Sequence, residues 1–182
     1  QVSDSGVIRS SSTGSSWEIR ITDMRKPAAG VIVHLGEVVS GHPRVGDQTL
    51  AQVDVARRRA IMRNHTATHL LHAELHTVLG DHARQAGSLV APDRLRFDFT
   101  HAQPVTPDEL ERIEAGVNQA ILGGYALNIT HKPLQQAMSE GAMALFGEKY
   151  GETVRTITIG DENPFSYELC GGTHVDETGD SG

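Results

Sequence analysis

The spacing of apolar residues changes near residue 60 of this 182-residue chain. Before that point, short alternating segments bounded by Gly, Ser and Asp indicate β-strands. The strands are expected at Gly6–Arg9, Trp17–Ile21, Gly30–Val39 and Leu50–Val55, with a flexible turn over Ser10–Ser16. No helical pattern separates them, and a series of short strands of this kind is typical of a small barrel or sandwich.

Beyond residue 60 the pattern predicts helices alternating with strands. A capping box at Thr106-Pro107-Asp108-Glu109 places the start of one helix, which is expected to reach Leu122. The other predicted helices are Ala60–Leu79 and Pro133–Leu145, and the predicted strands are Arg94–Phe99, Tyr125–Thr130 and Thr153–Ile159. The sequence therefore predicts an α+β protein with helices packed on an antiparallel sheet, divided into a barrel-like part over residues 1–56 and a core over residues 57–182.

Composition and charge limit the classes of function. Hydrophobic residues make up 38% of the chain, and no apolar run approaches the length of a membrane span. A single cysteine, Cys170, excludes an internal disulfide and favours a reducing compartment such as the cytoplasm. The net charge of −7 argues against binding nucleic acid by charge alone. Residues 1–60 carry +2 and residues 61–182 carry −9, so a basic first part or a neighbouring domain would have to supply most contacts to RNA.

Four histidines of the first predicted helix fall on one stripe. They are His65, His69, His72 and His76. Histidines at i and i+4 can hold one metal ion between them, but the first and last of these lie about 16 Å apart, so all four cannot share an ion. Chance alone produces one such pair in many histidine-rich sequences. The helix by itself is therefore weak evidence for a metal site.

A second group of metal-binding residue types lies near the end of the chain, in Cys170-Gly171-Gly172-Thr173-His174. The two glycines are expected to adopt positive φ in a turn that presents the thiol and the imidazole to one ion. Together with a histidine pair of the helix they would form a set of three imidazoles and one thiolate, which suits Zn²⁺. Two alternatives remain open, namely a buried cysteine beside an unrelated histidine, and a cysteine nucleophile with His174 as its base.

Four ordered motifs carry a resemblance to a known family. The segment Arg63–His72 resembles the zinc helix of the editing domain of alanyl-tRNA synthetases, which is related to the second additional domain of threonyl-tRNA synthetase and to free-standing trans-editing proteins. The segments Gly87–Val90 with Pro92–Phe99, Ala142–Gly151 and Glu168–Val175 are similar to the following motifs in the same order. The resemblance covers nearly the whole chain, and we expect the chain to be a piece of a longer protein.

The resemblance implies a fold and a function. It implies a small β-barrel followed by an α+β core, and zinc-dependent hydrolysis of the ester in mischarged Ser-tRNA(Ala) and Gly-tRNA(Ala). By position it assigns Zn²⁺ to His65, His69, Cys170 and His174, and it places Thr68 and Gln85 in the substrate pocket. The partners would be the tRNA(Ala) acceptor end and the other domains of the parent synthetase. A zinc-stabilised tRNA-binding module without hydrolysis and a free-standing trans-editing protein are the alternatives, and no general base is evident.

Overall fold

The structure is a computed structural model that describes residues 1–12, 16–28, 30–144 and 150–182. The chain separates into two compact units, of which the first is Val2–Arg59 and the second is Ala60–Gly182 together with Gln1. Part of the predicted turn Ser10–Ser16 and part of the motif Ala142–Gly151 lie outside the described residues. The division into a barrel-like part over residues 1–56 and a zinc-binding editing core over residues 57–182 remains a prediction.

The first unit contains an antiparallel sheet of four strands in the order β3-β2-β1-β4. Its strands are β1 (Gly6–Ser10), β2 (Glu18–Ala28), β3 (Val31–Ser40) and β4 (Thr49–Val53). Trp17 and Ile21 are buried here, and the indole Nε1–H of Trp17 donates to Asp47 Oδ2 at 2.7 Å. The strand pairings of the described residues do not include β3 with β4. The closed barrel therefore remains a prediction.

The helix that carries the histidines, α1 (Val55–Leu79), begins earlier than Ala60, where the apolar pattern placed its start. Asp54 Oδ1 accepts a hydrogen bond from the backbone N–H of Arg57 at 3.0 Å, which satisfies a free donor of the first turn. Arg58 forms an ion pair with Asp4. The helix ends at Gly80, which has a φ of 102°. Because the first turn carries no apolar stripe, hydrophobic periodicity alone could not place this start.

The second unit has the predicted α+β character with antiparallel strands, so this part of the fold prediction is confirmed. Its elements are β5 (Gln85–Val90), β6 (Leu95–Phe99), α2 (Pro107–Leu122), β7 (Leu127–Pro133), α3 (Leu134–Ser139), β8 (Thr153–Ile159), β9 (Ser166–Leu169) and a 3₁₀ turn over Thr178–Ser181. β5 pairs with β6, and the other three strands form a sheet in the order β7-β8-β9.

Three sequence predictions in this unit need correction. α3 ends at Ser139 and not at Leu145, because Gly141 follows with a φ of 90° and breaks the helix; Leu145 itself lies outside the described residues. The strand expected at Tyr125–Thr130 lies at Leu127–Pro133. The strands β5 and β9 were not predicted, because their sequences are short and rich in polar residues.

A buried apolar cluster holds α1 and α2 against β8. It contains Leu70, Ala120, Ile157 and Ile159. Burying a Leu or Ile side chain completely contributes about 1.5–3 kcal/mol. Leu70 is fully buried and adjacent to His69, so the packing of this cluster fixes the rotation of α1 and the direction in which its histidines point. Among the helices of the described residues, none is long and apolar enough to cross a membrane.

Candidate metal centre

The structure brings together the four residues that the sequence assigns to a metal. His65 and His69 lie one turn apart on α1, Cys170 directly follows β9, and His174 lies four residues further along the same loop. Their ligand atoms all lie within 4.8 Å of one another. Two separate parts of the chain therefore supply one cluster of three imidazoles and one thiol.

The donor atoms of this cluster face one another. Cys170 Sγ lies 3.4 Å from Nε2 of His65 and 3.4 Å from Nε2 of His174. The ring centroids of His65 and His69 are 5.3 Å apart, and that of His174 lies 4.2 Å and 4.9 Å from them. His69 Nε2 is buried and has no hydrogen-bond partner among the described residues. A buried nitrogen without a partner is costly, and a metal ion at the centre of the cluster would satisfy it.

The opposite nitrogen of each imidazole is held by a neighbouring side chain. Nδ1 of His65 lies 2.8 Å from Gln1 Oε1, and Nδ1 of His69 lies 3.0 Å from Glu168 Oε1. Both oxygens only accept, so each Nδ1 carries a proton and donates it, and each ring can present Nε2 to a metal ion. Nδ1 of His174 lies 3.3 Å from Thr66 Oγ1. Outer contacts of this kind fix the tautomer and orientation of metal-binding histidines.

The protonation states of the site are coupled to metal binding. Burial lowers the pKa of His69, but the charges and hydrogen bonds of Glu168 and Cys170 outweigh it and raise the pKa to about 10, so a bound ion would displace a proton from this ring. Burial raises the pKa of Cys170, but the neighbouring imidazoles of His174, His65 and His69 outweigh it and lower the pKa to about 3, which favours the thiolate. Burial lowers the pKa of His174 to about 4, which leaves this imidazole neutral. Metal ligands need these two protonation states, a thiolate and a neutral imidazole. Three imidazoles and one thiolate in this geometry fit a tetrahedral Zn²⁺ ion.

Glu168 is an important residue of the site to which sequence reasoning gave no role. It is 4% exposed; its Oε1 contacts His69, and its Oε2 lies 3.2 Å from Nδ1 of His72. Ser166 Oγ donates to Oε1 at 2.8 Å. Burial raises the pKa of this carboxyl, but the charge and hydrogen bond of His69 outweigh it and hold the pKa well below its ordinary value. Ser166, Glu168 and Cys170 are spaced two residues apart, so in an extended chain their side chains lie on the same side. This spacing was the one feature of the sequence that could have linked Glu168 to the metal-binding cysteine.

Two features determine the conformation of the loop after β9, namely hydrogen bonds from Arg155 and the close contact of Gly172 with His65. Arg155 Nη1 donates to the carbonyl oxygens of Cys170 at 2.7 Å and of Gly172 at 2.8 Å. A Cβ on Gly172 would lie 1.9 Å from Cε1 of His65, whereas a Cβ on Gly171 would meet nothing within 4 Å. Neither glycine has a positive φ, so that expectation was wrong. Gly172 is needed because only a residue without a side chain can approach the imidazole of His65 this closely. Arg155 was not predicted, because it reaches the loop only through the pairing of β8 with β9.

Thr68 and Gln85, the predicted pocket residues, make local hydrogen bonds. The Thr68 hydroxyl donates to the carbonyl oxygen of Asn64, one turn back in α1, at 2.7 Å, which leaves its oxygen free to accept. Gln85 Nε2 donates to Ser88 Oγ at 3.2 Å. Gln85 also lines a cleft of about 400 Å³ whose other described lining residues are His72, His76, Asp81, Arg84, Met143 and Ala144. Their roles toward a substrate remain predictions.

Replacing Glu168 by glutamine is expected to lower the affinity for Zn²⁺ by about 10–100-fold, the usual cost of losing an outer partner of a metal ligand. The amide keeps the shape of the side chain but removes the charge and one of the two acceptors that hold His69 and His72. Competition with a chelator of known affinity measures this effect. Glu162→Gln, at an exposed position, is the matched control, and equal affinities for the two variants would contradict the assignment.

Comparison with known proteins agrees with the resemblance. The family described as threonyl and alanyl tRNA synthetase second additional domain matches residues 154–180, which contain Glu168, Cys170 and His174. An alanine--tRNA ligase of Chloroflexus aurantiacus is 50% identical over 191 aligned residues that include the whole chain. The enzyme of Halorhodospira halophila is 52% identical over 182 residues, and that of Thermus thermophilus is 54% identical over 167 residues, or 90% of the chain.

The chain spans about a fifth of the length of these relatives, with 21%, 20% and 19% of each covered. The similarity nevertheless runs through both units of the chain, and it includes the histidine helix and the cysteine loop. The predicted resemblance of the chain to the editing-related domain of alanyl-tRNA synthetases is confirmed.

Proposed function

We propose that this chain hydrolyses the ester bond of mischarged Ser-tRNA(Ala) and Gly-tRNA(Ala), and that it does so as the zinc-dependent proofreading part of an alanine--tRNA ligase. The observation that carries the proposal is the prearranged cluster of three histidines and one cysteine, with a buried Nε2 lacking a partner, in a chain half identical over its whole length to such ligases. Residues 57–182 would form the editing core.

A separate hydrolytic site is needed because binding alone cannot reject the two wrong amino acids. Glycine is smaller than alanine and fits any pocket that holds alanine. Serine adds one hydroxyl, which an apolar pocket rejects only weakly. Hydrolysis of the wrong ester after its synthesis supplies the missing discrimination.

The chain's own residues would hold and orient the reacting groups. His65, His69, Cys170 and His174 would bind Zn²⁺, while Gln1, Glu168 and Thr66 keep the three imidazoles in place. When bound, the ion would supply a positive charge that polarises the ester carbonyl or acidifies a water molecule. Because the ester is intrinsically labile, positioning and electrostatic stabilisation can account for its hydrolysis without a dedicated general base.

The predicted pocket residues would select the substrate. Thr68 lies directly before His69 in α1, and its oxygen retains the capacity to accept a hydrogen bond from the serine hydroxyl or the amino group. Gln85 would contribute its side-chain amide from the wall of the cleft. Asn64 holds the same helix in place, since its Nδ2 donates to the carbonyl oxygen of Ala91 at 2.7 Å.

The tRNA acceptor end and the remaining domains of the parent synthetase are the proposed partners. The excess of negative charge in residues 61–182 opposes tight binding of phosphate by this part alone. We therefore propose that neighbouring domains provide most of the affinity for tRNA, whereas this chain provides the hydrolytic site.

Deacylation of Ser-tRNA(Ala), Gly-tRNA(Ala) and Ala-tRNA(Ala) by the zinc-loaded chain tests this function. The first two esters are expected to be lost rapidly and the third slowly. Thr68→Val is expected to slow the loss of serine by about tenfold, the value of one good hydrogen bond. Thr77→Val is the matched control, because Thr77 Oγ1 makes the same bond to the carbonyl oxygen four residues back, at 3.0 Å from that of Ala73.

A binding module without hydrolysis would give a different result. Four protein ligands are typical of structural zinc sites, which is the observation that favours this alternative. In that case the mischarged tRNA would bind to the zinc-loaded chain and keep its serine. Repeating the assay with the neighbouring domains attached would then separate a purely structural zinc site from one that needs further tRNA contacts.

A further inference from the structure

A second histidine pair, His72 and His76, lies further along α1 and repeats the spacing of His65 and His69. The ring centroids of the second pair are 4.6 Å apart, compared with 5.3 Å in the pair of the metal centre. Two imidazoles one turn apart on a helix can direct one nitrogen each to the same ion. The second pair therefore has the spacing of a metal clamp, but no cysteine loop approaches it among the described residues.

A buried carboxylate holds the first ring of the second pair in place. Nδ1 of His72 donates to Glu168 Oε2 at 3.2 Å, because a carboxylate can only accept. Nδ1 of His72 therefore carries a proton, and its Nε2 is the nitrogen available to a ligand. His76 lies close to the backbone of Ala83, and its Nε2 has no hydrogen-bond partner among the described residues.

Both of these Nε2 atoms are buried and have no hydrogen-bond partner among the described residues. His72 is only 6% exposed. Buried nitrogens of this kind normally have a partner, and one left unsatisfied destabilises the fold. Two buried imidazole nitrogens without a partner, on rings whose centroids are 4.6 Å apart, are the observation on which a second site rests.

The cleft beside the pair offers space and oxygen atoms for such a ligand. Its volume is about 400 Å³, and the carboxylate of Asp81 and the amide of Gln85 lie along its wall. The carboxylate also acts on His76 through its charge. Arg84 contributes one positive charge to the same wall. Water or a cleft oxygen can therefore complete the coordination of an ion that is held by two imidazoles.

We propose that His72 and His76 form a second transition-metal site, distinct from the four-residue cluster, that binds Zn²⁺ through their two Nε2 atoms with at least one coordination position open to the cleft. Two protein ligands instead of four make this site the weaker one. The proposal does not depend on the proposed hydrolysis, because metal binding can be counted without tRNA.

The experiment counts the zinc bound by the whole chain. Metal-free protein is titrated with Zn²⁺ against a chromogenic chelator, and the wild-type chain is expected to bind two equivalents, one tight and one weaker. His76→Ala is expected to lose the weaker equivalent and to keep the tight one. Binding of a single equivalent by the wild-type chain, or two equivalents by His76→Ala, would overturn the proposal.

His101→Ala is the matched control. His82 and His101 form a stacked pair with Nε2 and Nδ1 2.9 Å apart, and this pair is another place where a surface ion can bind. The proposal requires that His101→Ala keeps both equivalents, and loss of the weaker one would assign it to this surface pair instead.

Nitrogen-15 NMR of the wild-type histidines gives a test that needs no variant to fold. The second equivalent of Zn²⁺ should shift Nε2 of His72 and His76 and leave their Nδ1 atoms protonated. Unchanged Nε2 signals in both rings during binding of the second equivalent would overturn the proposal.

Discussion

Replacing Gly172 by alanine is expected to abolish tight zinc binding, with a loss in affinity of more than about 100-fold, since even changes to outer partners cost 10–100-fold. The new methyl group would lie 1.9 Å from Cε1 and 2.3 Å from Nδ1 of His65, and 2.7 Å from Gln1 Oε1. The imidazole and its orienting amide would both have to move, and His65 would leave the cluster. Chelator competition measures the loss.

Gly171→Ala is the matched control for this prediction. It places the same methyl group one residue earlier in the loop, where nothing lies within 4 Å, and Gly171 does not have a positive φ. We expect this variant to bind zinc as the wild type does. Similar losses in both variants would show that the loop requires glycine for flexibility and not for the approach of Gly172 to His65.

Cys170→Ala is expected to release the zinc and to stop hydrolysis of Ser-tRNA(Ala) together. The variant removes the only thiolate of the cluster and leaves three imidazoles and the buried Glu168 carboxylate. A lost ligand should cost more than the factor of about 10–100 that a lost outer partner costs. Metal analysis and deacylation, measured on the same sample, check both expectations.

Cys170→Asp separates a metal ligand from a nucleophile. A carboxylate can bind Zn²⁺ but cannot form a thioester, so hydrolysis by this variant should follow the zinc that it retains. A variant that keeps its zinc and loses all activity would instead support the pair of Cys170 and His174 acting as nucleophile and base. The 3.4 Å separation of Sγ and Nε2 is compatible with that alternative in the absence of a metal.

Local signals predicted the elements that depend on local chemistry. The capping box placed the start of α2 at Pro107, and the hydroxyl and carboxylate bonds of Thr106 and Glu109 account for it. The alternation over Thr153–Ile159 gave β8 its observed bounds. The predicted start of α1 was wrong because polar contacts stabilise the first turn. Asp54 accepts from the backbone of Arg57, and Arg58 pairs with Asp4, and neither contact contributes to apolar periodicity.

The cluster itself could be assembled from spacing and resemblance, whereas its support could not. His65 and His69 are one helical turn apart in any α-helix, and the cysteine loop supplied the other two residues. The contact of Glu168 with His69 and His72 depends on the packing of β9 against α1, and the bond from Arg155 to the loop carbonyls depends on the pairing of β8 with β9. Spacing along the strand placed Glu168 on the same side as Cys170, but it did not show which side chains of another element they would meet.

The most direct test of the account is hydrolysis of Ser-tRNA(Ala) measured during stepwise addition of Zn²⁺ to the metal-free chain. The account predicts that the rate is low without metal, rises in proportion to the tight equivalent and reaches its plateau when that equivalent is bound by His65, His69, Cys170 and His174. Full hydrolysis by protein shown to be free of metal would contradict the central claim that this cluster is the zinc centre of the reaction.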